Sequence, residues 1–214
     1  MKEHHFYDRS QLRQVQRLLP GDYAAKRAGQ SDVIMMMTVL GSCVAVCLTD
    51  KARQIAGLNH FMLPDQLDYK ALRQSQLDPS NPSARYGVHA MELLINQMLD
   101  LGAERAELRA WVFGGAKVLS GISDVGSGNI SFALSYLKRE RITVVAQDTG
   151  GQSARKLYLD ASICIPACFP VLRQVQSVQS KEAIYAKQLV KIQHSQQVDI
   201  SLFGQTLTDQ FRQK

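Results

Sequence analysis

The hydrophobic and polar positions of this chain group into stretches whose spacing predicts its secondary structure. The densest apolar region is 31–63. Its β-branched residues and the small pair Gly41-Ser42 predict a strand, a tight turn and a second element that begins at Cys43. A polar turn follows, and the apolar residues that return at 55–63 predict a further strand.

Four segments carry apolar side chains at helical spacing. The first, 12–19, predicts a short amphipathic helix that is appended to the core. The second, 86–101, predicts a longer helix for which Gly102 is a suitable C-cap. The other two, 129–137 and 171–192, predict a second main helix and a Gln-rich amphipathic helix.

Three more apolar stretches predict strands, at 108–113, at 141–146 and, as a hairpin, at 155–159 with 162–165. The polar stretch 64–85 carries two prolines and predicts a surface loop. Strands that alternate with helices indicate an α/β or α+β layered single domain. In such a domain a mixed β-sheet packs with about two main helices.

The composition divides the chain into three parts. Residues 1–30 are polar and predict an N-terminal extension with one short helix. Residues 31–169 form the main domain. Residues 170–214 are rich in Gln and predict a helix followed by a tail. We expect this last part to be a solvated tail in preference to an interaction helix, with its final twenty residues disordered.

Length and charge narrow the classes of function. The chain has 214 residues, which suffices for one well-cored domain. Its net charge of +6 favours acidic partners. Nucleic acid is not the expected partner, because the densest basic cluster, 138–141, contains a glutamate, and the sequence lacks zinc-finger spacing and RNA-binding aromatic motifs. An acidic protein substrate fits the charge equally well.

The sequence predicts no insertion into a membrane. The N-terminus lacks the apolar core of a secretory leader. The longest apolar run, 33–48, has 16 residues and is interrupted by Thr38, Gly41 and Ser42. A membrane-spanning helix needs about 20 apolar residues. We therefore expect a soluble protein of the cytoplasm.

The chain contains four cysteines, at positions 43, 47, 164 and 168. In a reducing cytoplasm they are expected as free thiols. Both pairs have the spacing C-x₃-C, which is compatible with a zinc site. If 43–47 is a strand, however, its two sulfurs lie about 13 Å apart and cannot share one ion. We therefore expect no metal, and we expect Cys47, Cys164 and Cys168 to serve as apolar packing.

Cys43 and His60 provide the elements of nucleophilic catalysis. Cys43 ends the turn Gly41-Ser42-Cys43, where backbone N–H groups favour a thiolate and can hold an oxyanion. His60 lies 17 residues later on the next predicted strand, from which an imidazole can serve as base for the thiol. The alternative is an inert buried cysteine beside a core histidine, which is the commoner arrangement.

A glycine pair, Gly114-Gly115, follows another predicted strand. These residues either shape the catalytic turn and contribute N–H donors to the oxyanion, or only permit a positive φ in a turn. The sequence leaves the two interpretations open.

Five short motifs occur in order between about residues 31 and 168. They are Leu40-Gly41-Ser42-Cys43-Val44-Ala45-Val46, His60-Phe61-Met62-Leu63-Pro64, Phe113-Gly114-Gly115-Ala116, Gly126 with Asn129-Ile130, and Asp148-x-Gly150-Gly151 with Arg155. Together they resemble the signature of CheD, a family of chemoreceptor glutamine deamidases. Each motif is weak by itself, and their shared order makes the resemblance specific.

The resemblance implies a fold, an activity and partners. The fold is an α/β layered domain, similar to the catalytic domain of the cytotoxic necrotizing factor toxins, and it would occupy 31–169. The activity is hydrolysis of selected glutamine side chains of methyl-accepting chemotaxis receptors to glutamate, which tunes chemotaxis and needs no cofactor. The receptors are then the protein substrate, and a CheC-like phosphatase is a further candidate partner. We expect a monomer.

The resemblance also implies a catalytic Cys, His and Thr, of which the first two correspond to Cys43 and His60. The family's threonine lies six residues before the cysteine, where this chain has Met37, and Thr38 is the nearby candidate. A shift of one residue on a strand turns a side chain to the opposite face. Three interpretations stay open: a local change of register, another geometry for Thr38, or a third residue that is not needed.

A different class of function is compatible with the same residues, namely a catalytically weak binding or adapter module of the chemotaxis apparatus. The presence of both Cys43 and His60 argues against it, and the departure at Met37 leaves it open. A Cys43→Ala variant separates the two hypotheses, because an adapter would not need the thiol.

Overall fold

The computed structural model describes residues 4–8, 11, 13–30, 32–63, 82–118, 125–171 and 175–195. These residues contain ten strands and three helices. The strands are β1 (His4–Asp8), β2 (Arg13–Arg17), β3 (Tyr23–Arg27), β4 (Met35–Leu40), β5 (Val44–Asp50), β6 (Ile55–Asn59), β7 (Arg109–Gly114), β8 (Thr143–Thr149), β9 (Arg155–Asp160) and β10 (Ile165–Pro170). The helices are α1 (Pro82–Asp100), α2 (Val125–Arg139) and α3 (Val175–Ser195), with a 3₁₀ turn at Arg105–Glu107.

The strands form two mixed sheets of five strands each. The first has the order β1-β2-β4-β9-β10 and the second the order β3-β6-β5-β7-β8. β2 pairs with β4 in parallel, as β7 does with β8, and the other neighbours are antiparallel. The predicted α/β layered class is confirmed, with the strands divided over two sheets where one was expected.

The side chains of β5 show how the layers are arranged. Val44, Val46 and Leu48 join the core that α1 and α2 cover. Ala45 and Cys47, which alternate with them, join a second core together with residues of β4 and β9. Successive side chains of a strand point to opposite faces. The second sheet therefore lies between the two helices on one side and the first sheet on the other.

Most predicted elements lie close to their predicted positions. The helix predicted over 86–101 is α1, and Gly102 follows it with a φ of 97°, the left-handed conformation expected of a C-cap glycine. The helices predicted over 129–137 and 171–192 are α2 and α3. Most of the predicted loop and the last nineteen residues of the predicted tail lie outside the described residues.

The helix predicted at 12–19 is wrong, because this segment forms β2. Val15 pairs in parallel with Met35 of β4 and is fully buried. An apolar pattern this short also suits a strand, and the long-range pairing to β4 decides between the two. The segment is not appended to the core either, since Leu18, Ala24 and Ala25 are buried between the sheets and helices.

The expectation of a solvated tail is wrong for α3. Glu182 and Leu189 are buried, and Leu189 joins the core between the two sheets. Three helices rather than two therefore pack on the sheets in the described part of the chain. The position of α3 brings its buried glutamate to the turn that carries Cys43.

Candidate active site

The turn between β4 and β5 presents Cys43 at its end, with the side chain fully buried. The amide of Asn129 on α2 donates a hydrogen bond to the carbonyl oxygen of Ser42 at 2.9 Å. The N–H of Ala116 donates to the carbonyl oxygen of Gly41 at 2.7 Å. These two hydrogen bonds hold the turn from outside, and its three backbone N–H groups all point to one carboxylate, that of Glu182.

The glycine pair after β7 holds the same turn from its other side. Gly114 and Gly115 have φ of 103° and 68°, and a Cβ on Gly114 would lie 2.2 Å from the carbonyl oxygen of Cys43. The N–H of Gly115 donates to that carbonyl at 2.7 Å. Because this N–H is already bound within the turn, the geometry favours a role of Gly115 in shaping the turn over one as an oxyanion donor. Gly41, Ser42 and Cys43 itself supply the available donors.

His60 directly follows β6, and the backbone on both of its sides is fixed by an N-terminal loop. Its N–H donates to the carbonyl oxygen of Asp22 at 2.9 Å, and its own carbonyl accepts from Gly21 at 2.7 Å. The ring is buried. The N-terminal part of the chain thus positions the imidazole, a contribution that the predicted extension did not include.

Thr38 contacts the imidazole directly. Its hydroxyl oxygen lies 2.7 Å from Nδ1 of His60 and donates a hydrogen bond to the carbonyl oxygen of Leu18 at 2.9 Å. Since the hydroxyl proton goes to Leu18, the oxygen accepts from His60, and Nδ1 carries the ring proton. Nε2 then has its lone pair free, and within the described residues it is a buried nitrogen without a hydrogen-bond partner.

The side-chain alternation of β4 explains why Thr38, and not Met37, meets the histidine. Met36 and Leu40 lie in the core between the sheets, which is the side of Thr38. Met37 lies in a separate cluster on the outer face with Met35. Of the three interpretations open from the sequence, this arrangement favours another geometry for Thr38.

The thiol, the imidazole and a carboxylate converge at the turn. Sγ of Cys43, a ring nitrogen of His60 and a carboxylate oxygen of Glu182 all lie within 4.8 Å of one another. Oε1 of Glu182 accepts from the N–H of Gly41 at 2.8 Å and of Cys43 at 3.1 Å. Oε2 accepts from the N–H of Ser42 at 2.7 Å and from its hydroxyl at 2.8 Å. An anion therefore already occupies the donors of the turn.

Burial keeps both reacting groups neutral in this arrangement. It raises the pKa of the Cys43 thiol well above its ordinary value, and the negative charge of Glu182 raises that pKa further. Burial lowers the pKa of His60 to about 4, although Glu182 and the Leu18 carbonyl act in the opposite direction. A neutral imidazole with a free Nε2 is the form that can accept a proton from a thiol.

Two residues of the site escaped the sequence prediction in whole or in part. Glu182 was included only in a Gln-rich helix, and its single signal was that it is the one acidic residue of α3. Asn129 was noticed as part of a motif but without a role. Its amide group joins two segments, because Oδ1 also accepts from the N–H of Leu63 at 2.8 Å.

The remaining cysteines lie apart from the thiol of the turn. Cys164 is buried next to the carbonyl of Ala161, and Cys168 is half-buried near Asp148. Among the described residues, the one group of three ligand types that approach one another closely is Cys43, His60 and Glu182. Both oxygens of that carboxylate are already bound by the turn.

A buried thiol, an imidazole with a free nitrogen, and converging N–H donors are the groups of a thiol acyl-transfer hydrolase. A family model described as "CheD chemotactic sensory transduction" matches residues 62–164. The chain is 44% identical over 155 residues to a Laribacter hongkongensis protein named "Probable chemoreceptor glutamine deamidase CheD", with 72% of this chain and 70% of the relative covered. A protein of the same name from Ralstonia pickettii is 39% identical over 196 residues, covering 88% and 76%. The chain belongs to the CheD family.

Among solved structures, a Neisseria meningitidis protein of the DUF152 family aligns with a TM-score of 0.34 and 14% identity. The alignment covers 61% of this chain and 53% of that chain, and the likeness is too weak to assign a fold. In the described parts of the chain, no helix is both long and apolar enough to cross a membrane.

Proposed function

We propose that this chain is a chemoreceptor glutamine deamidase, which hydrolyses glutamine side chains of methyl-accepting chemotaxis receptors to glutamate. Membership of the CheD family and the names of its relatives support the activity. The observation that carries the mechanism is the hydrogen bond between Thr38 and Nδ1 of His60, because it leaves Nε2 without a partner on a ring that has a nitrogen within 4.8 Å of the Cys43 sulfur. Cys43 is then the nucleophile, His60 the general base and Thr38 a positioning residue.

The first step forms a thioester. Nε2 of His60 takes the proton of the Cys43 thiol, and the sulfur attacks the amide carbon of the glutamine. The carbonyl oxygen gains negative charge and accepts from the N–H groups of Gly41 and Cys43, which now hold Oε1 of Glu182. The same imidazole returns the proton to the departing nitrogen, so that ammonia leaves and the acyl group stays on sulfur.

The second step returns the enzyme to its starting state. Water gives a proton to Nε2 of His60 and attacks the thioester carbon, and the oxyanion again lies at the N–H groups of Gly41 and Cys43. The carbon–sulfur bond breaks, and the Cys43 thiolate recovers its proton from the imidazolium. The sum is one amide and one water converted to one carboxylate and ammonium. This chemistry draws its nucleophile and its base from the chain itself.

The setting of the reaction follows from the substrate. Receptor glutamines of this kind lie on cytoplasmic helices, so we infer that the chain acts in the cytoplasm. The net charge of +6 favours encounter with acidic segments. We expect a monomer, with a CheC-like phosphatase as a further partner. Under the adapter hypothesis the chain binds the same partners but does not hydrolyse glutamine. Mass spectrometry of a receptor fragment distinguishes the deamidase from the adapter.

The test is mass spectrometry of a chemoreceptor cytoplasmic fragment that carries glutamine at its methylation positions. Wild type should convert amides to acids at specific sites, and Cys43→Ala should not. Cys47→Ala is the matched control, since Cys47 is an equally buried thiol of β5. Binding of the fragment by both wild type and Cys43→Ala, with no conversion by either, would leave only the adapter hypothesis.

A further inference from the structure

Glu182 is an unusual residue for a buried position. Its side chain belongs to the residue types that are rarely buried without a partner, yet only 2% of Glu182 is exposed. Its hydrogen bonds in the described structure come from three backbone N–H groups and one hydroxyl of the turn at 41–43. A carboxylate held by amide donors in this way is bound as a ligand would be bound.

The carboxylate occupies the place of the reaction's own product. Hydrolysis of a glutamine side chain at Cys43 leaves a glutamate whose oxygens face the N–H donors that held the oxyanion. Oε1 of Glu182 lies between the N–H groups of Gly41 and Cys43, and the thiol sulfur lies within 4.8 Å of the carboxylate. Gly41 is needed for this fit, because a Cβ there would lie 2.6 Å from Oε2.

The rest of α3 contacts the protein through one face. Gln179, Glu182, Tyr185 and Leu189 are separated by three, three and four positions, which places them on one side of a helix. Gln179 donates to the carbonyl of Val118, Tyr185 is hydrogen-bonded to Tyr86, and Leu189 is buried. Helices that bind in grooves use the same spacing of anchors.

The groove that receives this face is shaped for a helix. Tyr185 fits against Gly21, where a Cβ would lie 2.7 Å from its hydroxyl oxygen. Tyr86, whose hydroxyl is hydrogen-bonded to that of Tyr185, packs against the core between the sheets. The groove is thus formed by residues from distant parts of the sequence, and Glu182 lies in it between Gln179 and Tyr185, at the turn that carries the thiol.

We propose that α3 occupies the binding groove of the substrate helix, with Glu182 in the position of the product glutamate. The inference rests on the proposed function and adds two properties to it. The substrate binds as an intact helix, with its glutamine facing the turn and larger side chains three and seven positions later in the groove. The chain's own helix must leave before a receptor helix can enter, so that α3 restrains the activity of the site it fills.

The first experiment converts the product mimic into a substrate. In Glu182→Gln the introduced amide lies at Cys43, and the enzyme should hydrolyse it within its own chain, with consumption of one water and release of one ammonia. Peptide mapping should find an acid at position 182 and an unchanged amide at Gln179, whose side chain contacts Val118 instead of the turn. The double variant Cys43→Ala/Glu182→Gln should keep both amides.

The second experiment measures how far α3 blocks the site. Glu182→Ala removes the acceptor of four hydrogen bonds, so the helix should detach more often. Alkylation of Cys43 by iodoacetamide and deamidation of the receptor fragment should both accelerate, on the order of tenfold. Gln188→Ala is the control, because Gln188 is exposed on the same helix. Cys168, which is half-buried, is the internal reference for the alkylation.

The outcomes are distinct. Conversion of the amide at position 182 supports the proposal. This reaction needs no receptor, so its result does not depend on whether the chain acts on receptors. Faster alkylation in Glu182→Ala without conversion in Glu182→Gln would overturn the placement of Glu182 at the product position. Unchanged alkylation and unchanged receptor deamidation in Glu182→Ala would overturn the restraint by α3. Absence of receptor deamidation with wild type and with Glu182→Ala alike would instead contradict the proposed function.

Discussion

The hydroxyl oxygen of Thr38 lies 2.7 Å from Nδ1 of His60 and at the same time donates its proton to the carbonyl of Leu18. This relationship determines which ring nitrogen carries the proton. Without the hydroxyl, Nδ1–H would lose its acceptor at 2.7 Å and keep only the Leu18 carbonyl, which also bonds to His60 and raises its pKa. We therefore expect Thr38 to act on the reaction through the histidine.

Thr38→Val should lower kcat for receptor deamidation by about one to two orders of magnitude. The variant keeps the shape of the side chain and leaves Nδ1–H of His60 and the Leu18 carbonyl without the hydroxyl that joins them, which costs about 1–3 kcal/mol. KM should change little, because Thr38 faces His60 and not the substrate. Steady-state kinetics with the receptor fragment measure both constants, and the acidic limb of the pH profile should shift as well.

Two further variants show whether the hydroxyl is responsible. Thr38→Ser restores the hydroxyl and should recover most of kcat. Met37→Leu changes the neighbouring side chain on the outer face of the sheet and should leave the kinetics as in wild type. A normal kcat in Thr38→Val would show that the hydrogen bond does not matter for the reaction.

A pair of glycine variants tests how closely the turn is held. Gly114→Ala places a Cβ 2.2 Å from the carbonyl oxygen of Cys43. That oxygen belongs to the backbone of Cys43, which cannot move away without displacing the thiol. Gly150→Ala has a comparable φ of 72° but nothing within 4 Å of the new Cβ. Gly150→Ala should cost about 1–2 kcal/mol of unfolding free energy from backbone strain alone. Gly114→Ala should cost more and also abolish activity.

Urea unfolding monitored by circular dichroism gives the two free energies, and the deamidation assay gives the activities. The comparison separates two causes of lost stability. Both glycines have a positive φ, but only Gly114 lies in close contact with another backbone segment. Equal losses of stability in the two variants would mean that the approach to Cys43 is not tight.

Asn129 should be needed for the geometry of the turn and for stability together. Asn129→Ala removes a donor to the carbonyl of Ser42 and an acceptor for the N–H of Leu63, and should cost about 2 kcal/mol or more. Asn129→Asp keeps the acceptor but turns a carboxylate oxygen towards the Ser42 carbonyl. It should therefore lose activity more completely than its loss of stability would predict. Full activity in a folded Asn129→Asp variant would contradict the role.

The local parts of the site could be predicted from the sequence. The turn Gly41-Ser42-Cys43 lies between two apolar runs, and His60 ends the next one, so adjacent strands bring them together. Such contacts can be predicted because short connections place consecutive strands side by side, and because the side chains of a strand alternate between its two faces. The same is true of α1 and α2, whose apolar stripes are long enough to exclude strands.

The parts that depend on docking could not be predicted. The segment 12–19 reads as a helix until its pairing with β4 is known. Side-chain alternation places Met37 and Thr38 on opposite faces, but only the packing of the two sheets shows which face meets His60. Glu182 contacts the N–H of Cys43 across 139 positions, and no local pattern encodes where α3 docks.

The buried imidazole makes stability depend on pH in a definite direction. Burial lowers the pKa of His60 to about 4 in the folded protein, from an ordinary value of 6.5. Between these two values the unfolded chain binds a proton at His60 that the folded protein excludes. The free energy of unfolding therefore falls as the pH falls through this window, by up to about 1.4 kcal/mol per pH unit from this group. Above the window both states are neutral, and below it both are protonated, so the contribution to the slope vanishes.

His60→Asn should remove this slope and leave the contributions of all other groups in place. Urea unfolding at several pH values between 4.5 and 7.5 measures the difference between variant and wild type, in which the shared groups cancel. The difference in unfolding free energy between wild type and variant should shrink towards low pH. Only wild type has an imidazole that must stay neutral in the folded state, so only wild type loses this stability. His89→Asn is the control for the His-to-Asn substitution itself, since His89 is exposed on α1. If the curve of His60→Asn runs parallel to wild type, burial does not lower the pKa of His60, and the predicted pH dependence of stability is wrong.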